Sequence, residues 1–328
     1  MTELRTFDPL ARADALLGLW NDALGDRFPL DDRLLGQQLR LCSDERLCLG
    51  AFDPGGRLVG AALAKRSSRP GPDGSVPATG CLSFMLVAEG ARRRGLGSAL
   101  LGRCEAWLSE RGALRLHLGR DPYHFFPGQP LDGSPGSEAL AAFLDARGFE
   151  PGNAEHDLVA DLGKLDLPAL ARRSPLAPGF RVRPYEASLR AGVEAFFLRC
   201  FPGRWRIDTL ESMAAGMRGG DLLLLEEEES GSIVGFSRIY DGGSPVLGPG
   251  VYWRGLMGGH PGGLGPIGVD ESRRGRGLGL ALLRVSMEEL AGRGVRTMVI
   301  DWTDLVDFYA KMGFSVWKSY RLRSKRLG

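Results

Sequence analysis

Two tandem copies of one mixed α/β domain are predicted by three observations on the 328 residues. A glycine-arginine phrase occurs twice, a common register runs through its surroundings, and the same order of elements follows each copy. The phrases are "RRRGLGSALL" from Arg92 and "RRGRGLGLALL" from Arg273. In a chain with 48 Gly, one such match carries little information. A shift of 182 residues, however, brings Val87, Glu89, Arg92, Gly95 and Gly97 onto Val269, Glu271, Arg274, Gly277 and Gly279. The same shift aligns Ala99, Leu100, Leu101, Arg111 and Gly112 with Ala281, Leu282, Leu283, Arg293 and Gly294. A repeat of this length marks a duplicated domain rather than a solenoid.

The elements follow in the same order in each copy. "RLCLGAFDPGGRLVGAALA" and "DLLLLEEEESGSIVGFSRIY" alternate like strands about glycine turns and predict hairpins. "CLSFMLV" and "GPIGV" predict short buried strands leading into the glycine phrase. "LGSALLGRCEAWLSERGA" and "LGLALLRVSMEELAGRGV" have helical spacing and a glycine placed to end the helix. Then come the strands "LRLHL" and "TMVID" and short helices ending "FLDARGF" and "FYAKMGF". An insertion near 120–136 distinguishes the first copy, and a longer loop near 241–263 the second. The Pro-rich stretch 163–178 reads as a linker, giving domains at 1–162 and 179–328.

Composition narrows the function classes. Hydrophobic residues make up 43% and charged residues 25%, as in globular domains, and no apolar run reaches the length of a membrane span. The first residues lack the apolar centre of a signal peptide, so the expectation is a cytoplasmic protein. Five cysteines without a C-x-x-C pair argue against a metal site or disulfide framework. A net charge of +2 gives no footprint for nucleic acid. The expected form is a monomer or homodimer, with neither nucleic-acid nor membrane partners.

A strand that turns through glycine into a helix gathers free backbone N–H groups, an anion site suited to a pyrophosphate. The spacing is neither a dinucleotide fingerprint nor a P-loop, because a third Gly and a G-K-[ST] are both absent. Strand, acidic residue, R-x-x-G-x-G, helix, strand and a helix ending "FYxxxGF" together resemble the GCN5-related N-acetyltransferases, over both halves of the chain. Tandem members such as mycothiol synthases and glucosaminide N-acetyltransferases show a weaker resemblance. The family resemblance implies two domains, each a mixed, mostly antiparallel sheet flanked by helices, with acetyl-CoA as cosubstrate and no metal. It implies that Arg274, Gly275, Gly277, Leu278 and Gly279 hold the pyrophosphate in the second copy. Arg92, Gly95 and Gly97 are the counterparts of Arg274, Gly277 and Gly279 in the first copy, and Val87, also expected to contact the cofactor, is that of Val269. It implies backbone contacts to the pantetheine arm from Ile267 and Val269, on a strand interrupted at Pro266. It implies Tyr309 as the acid that protonates the departing thiolate, whereas the first copy has Leu144 there. The second copy is therefore expected to be catalytic. Where the family often has an Asn at the start of this last block, the chain has Trp302.

The general base remains open among Asp301 at the end of a strand, His260 in the long loop, and Asp241 after the hairpin. Asp241 is also a candidate for acceptor binding. The insertion phrase "GRDPYHFFPGQP" is unusually aromatic for a loop. Tyr123, Phe125 and Phe126 either pin the loop against the second copy or, with Asp121 and His124, form a wall of an acceptor site. The expected reaction is acetyl transfer to a primary amine of a small molecule, with an amino sugar or glucosaminide as the leading acceptor. Protein, peptide or antibiotic amines are the enzymatic alternative, and a non-catalytic acyl-CoA sensor is the other.

Overall fold

The computed structural model describes residues 2–42, 44–67, 75–119 and 121–328. Along the first half run β1 (Glu3–Thr6), α1 (Ala13–Leu24), α2 (Asp32–Arg40), β2 (Glu45–Phe52), β3 (Leu58–Arg66) and β4 (Thr79–Val87). Then come α3 (Leu96–Glu110), β5 (Arg115–Leu118), β6 (Gln129–Pro130), α4 (Pro135–Asp145) and β7 (Glu150–Asp161). The second half holds α5 (Leu167–Arg173), β8 (Phe180–Pro184), α6 (Arg190–Cys200), α7 (Arg204–Ala214), β9 (Leu222–Glu227), β10 (Ser232–Asp241) and β11 (Pro261–Val269). It ends with α8 (Leu278–Gly292), β12 (Thr297–Thr303), α9 (Val306–Ala310) and β13 (Ser315–Arg326).

The compact units are not a simple cut of the chain. Unit 1 is Met1–Glu155 with Lys318–Gly328, and unit 2 is His156–Trp317. Each repeat therefore gives up half or more of its last strand. In unit 1 the strands β1 to β5 pair in order, and β5 is then flanked by the C-terminal part of β13, with Leu118 opposite Arg323. In unit 2 the strands β8 to β12 pair in order, and β12 is then flanked by residues 156–161 of β7, with Ile300 opposite Leu158. Among the described residues, the pairs β4–β5 and β11–β12 are parallel, whereas the other pairings named here are antiparallel. The stretch 163–178, expected to be a linker, instead carries α5, whose Leu170 is buried in the core of unit 2.

Duplication extends to the packing. In α3, Leu100, Leu101, Cys104 and Leu108 are buried at helical spacing, and in α8 Leu282, Leu283, Ser286 and Leu290 take the same places. Burying each such Leu is worth ~1.5–3 kcal/mol, which holds the helix to its sheet.

One strand is longer than its sequence suggests. β11 starts at Pro261, within the span expected as a loop, because Gly262 and Gly263 weaken any strand pattern. A Cβ on Gly263 would lie 2.7 Å from the backbone carbon of Gly250, and one on Gly262 2.7 Å from Val295. These glycines admit close approach of the 249–251 turn and of Val295 to the sheet rather than forming a turn themselves.

Candidate active site

Helix α8 opens on a left-handed residue, Gly277 (φ 75°), without a side-chain cap. Gly275 is also left-handed, at φ 77°. The first-turn N–H groups of a 15-residue helix are thus left for an anion, as a pyrophosphate site requires. Nε of Arg274 donates to Val269 O at 3.2 Å and braces the turn, while Arg273 is paired with Glu227. A Cβ on Gly279 would stand 3.6 Å from the ring of Phe308, so α9 rests on this turn. Leu278 is buried in the core beneath it. Unit 1 repeats the device: Gly95 has φ 82°, Nε of Arg92 donates to Val87 O at 2.9 Å, and a Cβ on Gly97 would stand 3.6 Å from the ring of Phe143. It departs at Arg93, which takes φ 61° where unit 2 has Gly275.

The two parallel strands of unit 2 part close to this turn. Their ladder ends at Leu264–Ile300, although β11 continues to Val269. Beyond Gly265, the edge of β11 facing β12 carries no ladder. Ile267 and Val269 lie on that stretch, still paired on the other side to Ser237 and Gly235 of β10. The hydroxyl of Tyr240 donates to Gly265 O at 2.7 Å, holding the strand where it diverges.

A bulge in β12 aims a carboxylate at this opening. Ile300 pairs with Leu158 and Thr303 with His156, so Asp301 and Trp302 together oppose Asp157. Trp302 is left-handed (φ 43°), and its N–H donates to Asp157 Oδ1 at 3.0 Å. A Cβ on Gly265 would meet Asp301 Oδ1 at 2.5 Å, so the carboxylate lies against bare backbone of β11. Among the described residues, this buried oxygen has no hydrogen-bond partner. Burial first, and then the charge of Asp157, push the Asp301 carboxyl up to about 7, against Arg204 and Arg238. A carboxyl titrating there can accept a proton at neutral pH.

Tyr309 on α9 is 5% exposed, edge-on to Phe308 (5.0 Å between centroids) and Phe314 (6.2 Å). Burial and the nearby Asp301 raise its phenol, which therefore stays protonated. Its counterpart in unit 1, Leu144, is 1% exposed and lines a cavity of about 590 Å³ with Val87, Arg92, Gly95 and Gly97. That cavity keeps the glycine turn while offering no proton donor at Leu144.

The remaining candidates lie elsewhere. Asp241 pairs with Gly262 at the far end of β11 from the glycine turn. Burial opposes its charge, but Arg218, the Gly243 N–H and Arg293 outweigh that and hold its carboxyl below the ordinary range, leaving a poor base. His260 directly precedes β11 at the same far end, exposed, its carbonyl accepting from Arg296 N. In the insertion, Tyr123, His124 and Phe125 are buried, and the ring of Phe125 packs on Trp20 and Phe84 of its own unit. Lys65 secures this segment through Asp121 Oδ2 at 2.6 Å and the carbonyls of Pro122 and Tyr123. Arg120 lies outside the described residues. The structure also adds Asp157, Tyr240, Arg204 and Arg238 around Asp301. No motif singles these out, since each sits in an ordinary strand or helix pattern.

Among the described residues, no three His, Cys, Asp or Glu side chains are grouped to hold a metal ion, and no helix is long and apolar enough to cross a membrane. The acetyltransferase (GNAT) family model matches residues 13–125 and 191–314, once in each repeat. A mycothiol acetyltransferase of Kineococcus radiotolerans is 31% identical over 74% of this chain and 72% of its own. That of Clavibacter michiganensis is 28% identical over 88% and 81%. Among solved structures, the GCN5-related glucosamine N-acetyltransferase region of a fungal multi-domain GH3 β-N-acetylglucosaminidase superposes with a TM-score of 0.87 at 25% identity. It covers 99% of this chain, which spans only 38% of that protein. A tandem GNAT protein from the clavulanic acid pathway shares the fold, with a TM-score of 0.70 at 18% identity over 100% of this chain and 99% of its own. With one family domain in each repeat, the chain belongs to the acetyltransferase (GNAT) family and is a tandem, acetyl-CoA-dependent N-acetyltransferase.

Proposed function

We propose that unit 2 acetylates the primary amine of a small molecule, with an amino sugar of the glucosamine type as the leading acceptor. The observation that carries the reading is Asp301, a carboxyl titrating near neutrality where β11 and β12 part, with a protonated Tyr309 close by. Acetyl-CoA supplies the activated acyl thioester. Asp301 accepts the proton that the amine loses as its nitrogen bonds to the acyl carbon. Backbone N–H groups of Ile267 and Val269, on the unladdered stretch of β11, favour negative charge on the acyl oxygen. Tyr309 gives its proton to the leaving sulfur as the carbon–sulfur bond breaks, and recovers one from solvent. The acceptor class is supported by the likeness to a glucosamine N-acetyltransferase region. Unit 1, with Leu144 in place of the acid, keeps a cavity shaped for the cosubstrate without this chemistry.

Release of free thiol from acetyl-CoA, screened over amines headed by glucosamine and chitosan fragments, tests the reading. Acetylation of an amino sugar, lost by at least ~100-fold in Asp301→Asn, is expected for a general base. Wild-type turnover in that variant would remove Asp301 from the mechanism. Turnover of peptide or antibiotic amines alone would replace the acceptor class.

A further inference from the structure

We infer that Asp157 is a positioning residue of the acyl-transfer site: from the strand that closes the first repeat, it fixes the Asp301–Trp302 bulge and confronts Asp301 with a second negative charge. The inference rests on Asp301 being the base. Asp157 is 3% exposed and takes the Trp302 N–H that the bulge removes from the β12–β7 ladder.

The duplication provides an internal control. Ile300–Leu158 in unit 2 corresponds to Leu118–Arg323 in unit 1, as the 182-residue shift and the spacing of the two "GF" pairs both require. In that frame Asp301 falls on Gly119, Asp157 on Leu322 and Tyr309 on Leu144. The repeat that lacks the acid lacks both carboxylates as well. The fold therefore forms without them, and the three side chains are present or absent as a group.

Their charges bear on one another. The charges that act on Asp301 come from Asp157 of β7, Arg204 of α7 and Arg238 of β10, and the phenol of Tyr309 on α9 senses Asp301 in turn. The phenol of Tyr240 on β10 also senses Asp301. The arginines are partly engaged, Arg204 with Asp208 at 3.0 Å and Arg238 with Ser212 at 2.7 Å. Asp157 is the negative group set against them. Without it, both arginines would favour the charged form of Asp301 and leave a weaker base.

The test compares kcat/KM for the amine against pH in the full chain, for wild type, Asp157→Asn, Asp157→Glu and Asp301→Asn, with acetyl-CoA affinity measured in each. Asp157→Asn should move the acidic limb down by about one pH unit and lower the plateau ~3–10-fold, with acetyl-CoA affinity within ~2-fold of wild type. Asp157→Glu keeps the charge and should keep the limb near its wild-type position. An unmoved limb in Asp157→Asn, alongside an inactive Asp301→Asn, would overturn the role of Asp157 and leave the base assignment standing. Wild-type turnover in Asp301→Asn would overturn the base assignment itself. If Asp157→Asn loses its cooperative thermal transition, Asp157→Glu decides, and a limb displaced by a unit there overturns the inference.

Discussion

In the proposed mechanism, Asp301 trades stability for reactivity. Its carboxyl is raised in the folded chain to about 7, so folding favours the protonated form. The stability it contributes is fully present below its unfolded pKa near 4, and is lost as pH rises through about 7. Asp301→Asn, which mimics the protonated form, should therefore raise stability at pH 8 by about 1–4 kcal/mol while abolishing turnover. The gain should vanish near pH 4, and thermal melts at the two pH values check the sign. In the wild type, kcat/KM should rise with pH through about 7 as the base ionises. Tyr309, whose phenol is raised, should add no basic limb below pH 10. Tyr309→Phe preserves the ring contacts with Phe308 and Phe314 while deleting the proton. Its kcat should fall at least tenfold and by up to the ~10²–10⁴-fold typical of general acid catalysis, with the acetyl-CoA KM nearly unchanged. A wild-type kcat would assign the thiolate proton to water or another group.

At the scale of elements, legibility followed the strength of the local signal. The glycine turns, the helices α3 and α8 and the two hairpins were all readable, because periodicity and left-handed glycines leave marks in sequence. Tyr309 was readable only through its place before Gly313-Phe314, and Asp301 only as one of several acids. Nothing local reveals that residues 301–302 bulge opposite Asp157, since a bulge is a property of pairing and the partner strand lies 145 residues away in sequence. The start of β11 was masked for the opposite reason: its glycines look like a turn, but serve close contact with Gly250. Gly263→Ala should thus cost roughly 1–3 kcal/mol by forcing a methyl against backbone. Gly279→Ala, whose Cβ would meet Phe308 at an ordinary 3.6 Å, should leave the melting temperature nearly unchanged. Equal effects of the two changes on urea midpoints would refute the close-contact account.

For the molecule as a whole, the duplicated sequence suggests a cut near 163–178, yet the compact units exchange the ends of their last strands. Pattern along the chain records which residues form a strand, but not which of two equivalent sheets receives it. A fragment starting at 179 would lack residues 156–161, leaving β12 with an open edge and no Asp157. Expressed alone it should aggregate or remain unfolded, whereas residues 156–317 should give a cooperative melt and bind acetyl-CoA. A well-folded, active 179–328 fragment would contradict this division.

The exchange also inverts the order in which a ribosome can release finished structure. Residues 156–317 contain everything unit 2 uses, but unit 1 waits for Lys318–Gly328, which are made only after all of unit 2. At ~5–20 residues per second, the gap between the two parts of unit 1 takes ~10–30 s to synthesise. Throughout that interval the edge of β5 destined for β13 has no partner, and an open strand edge recruits other chains. The half translated first is completed last, so the nascent chain is most exposed to misassociation through its first repeat.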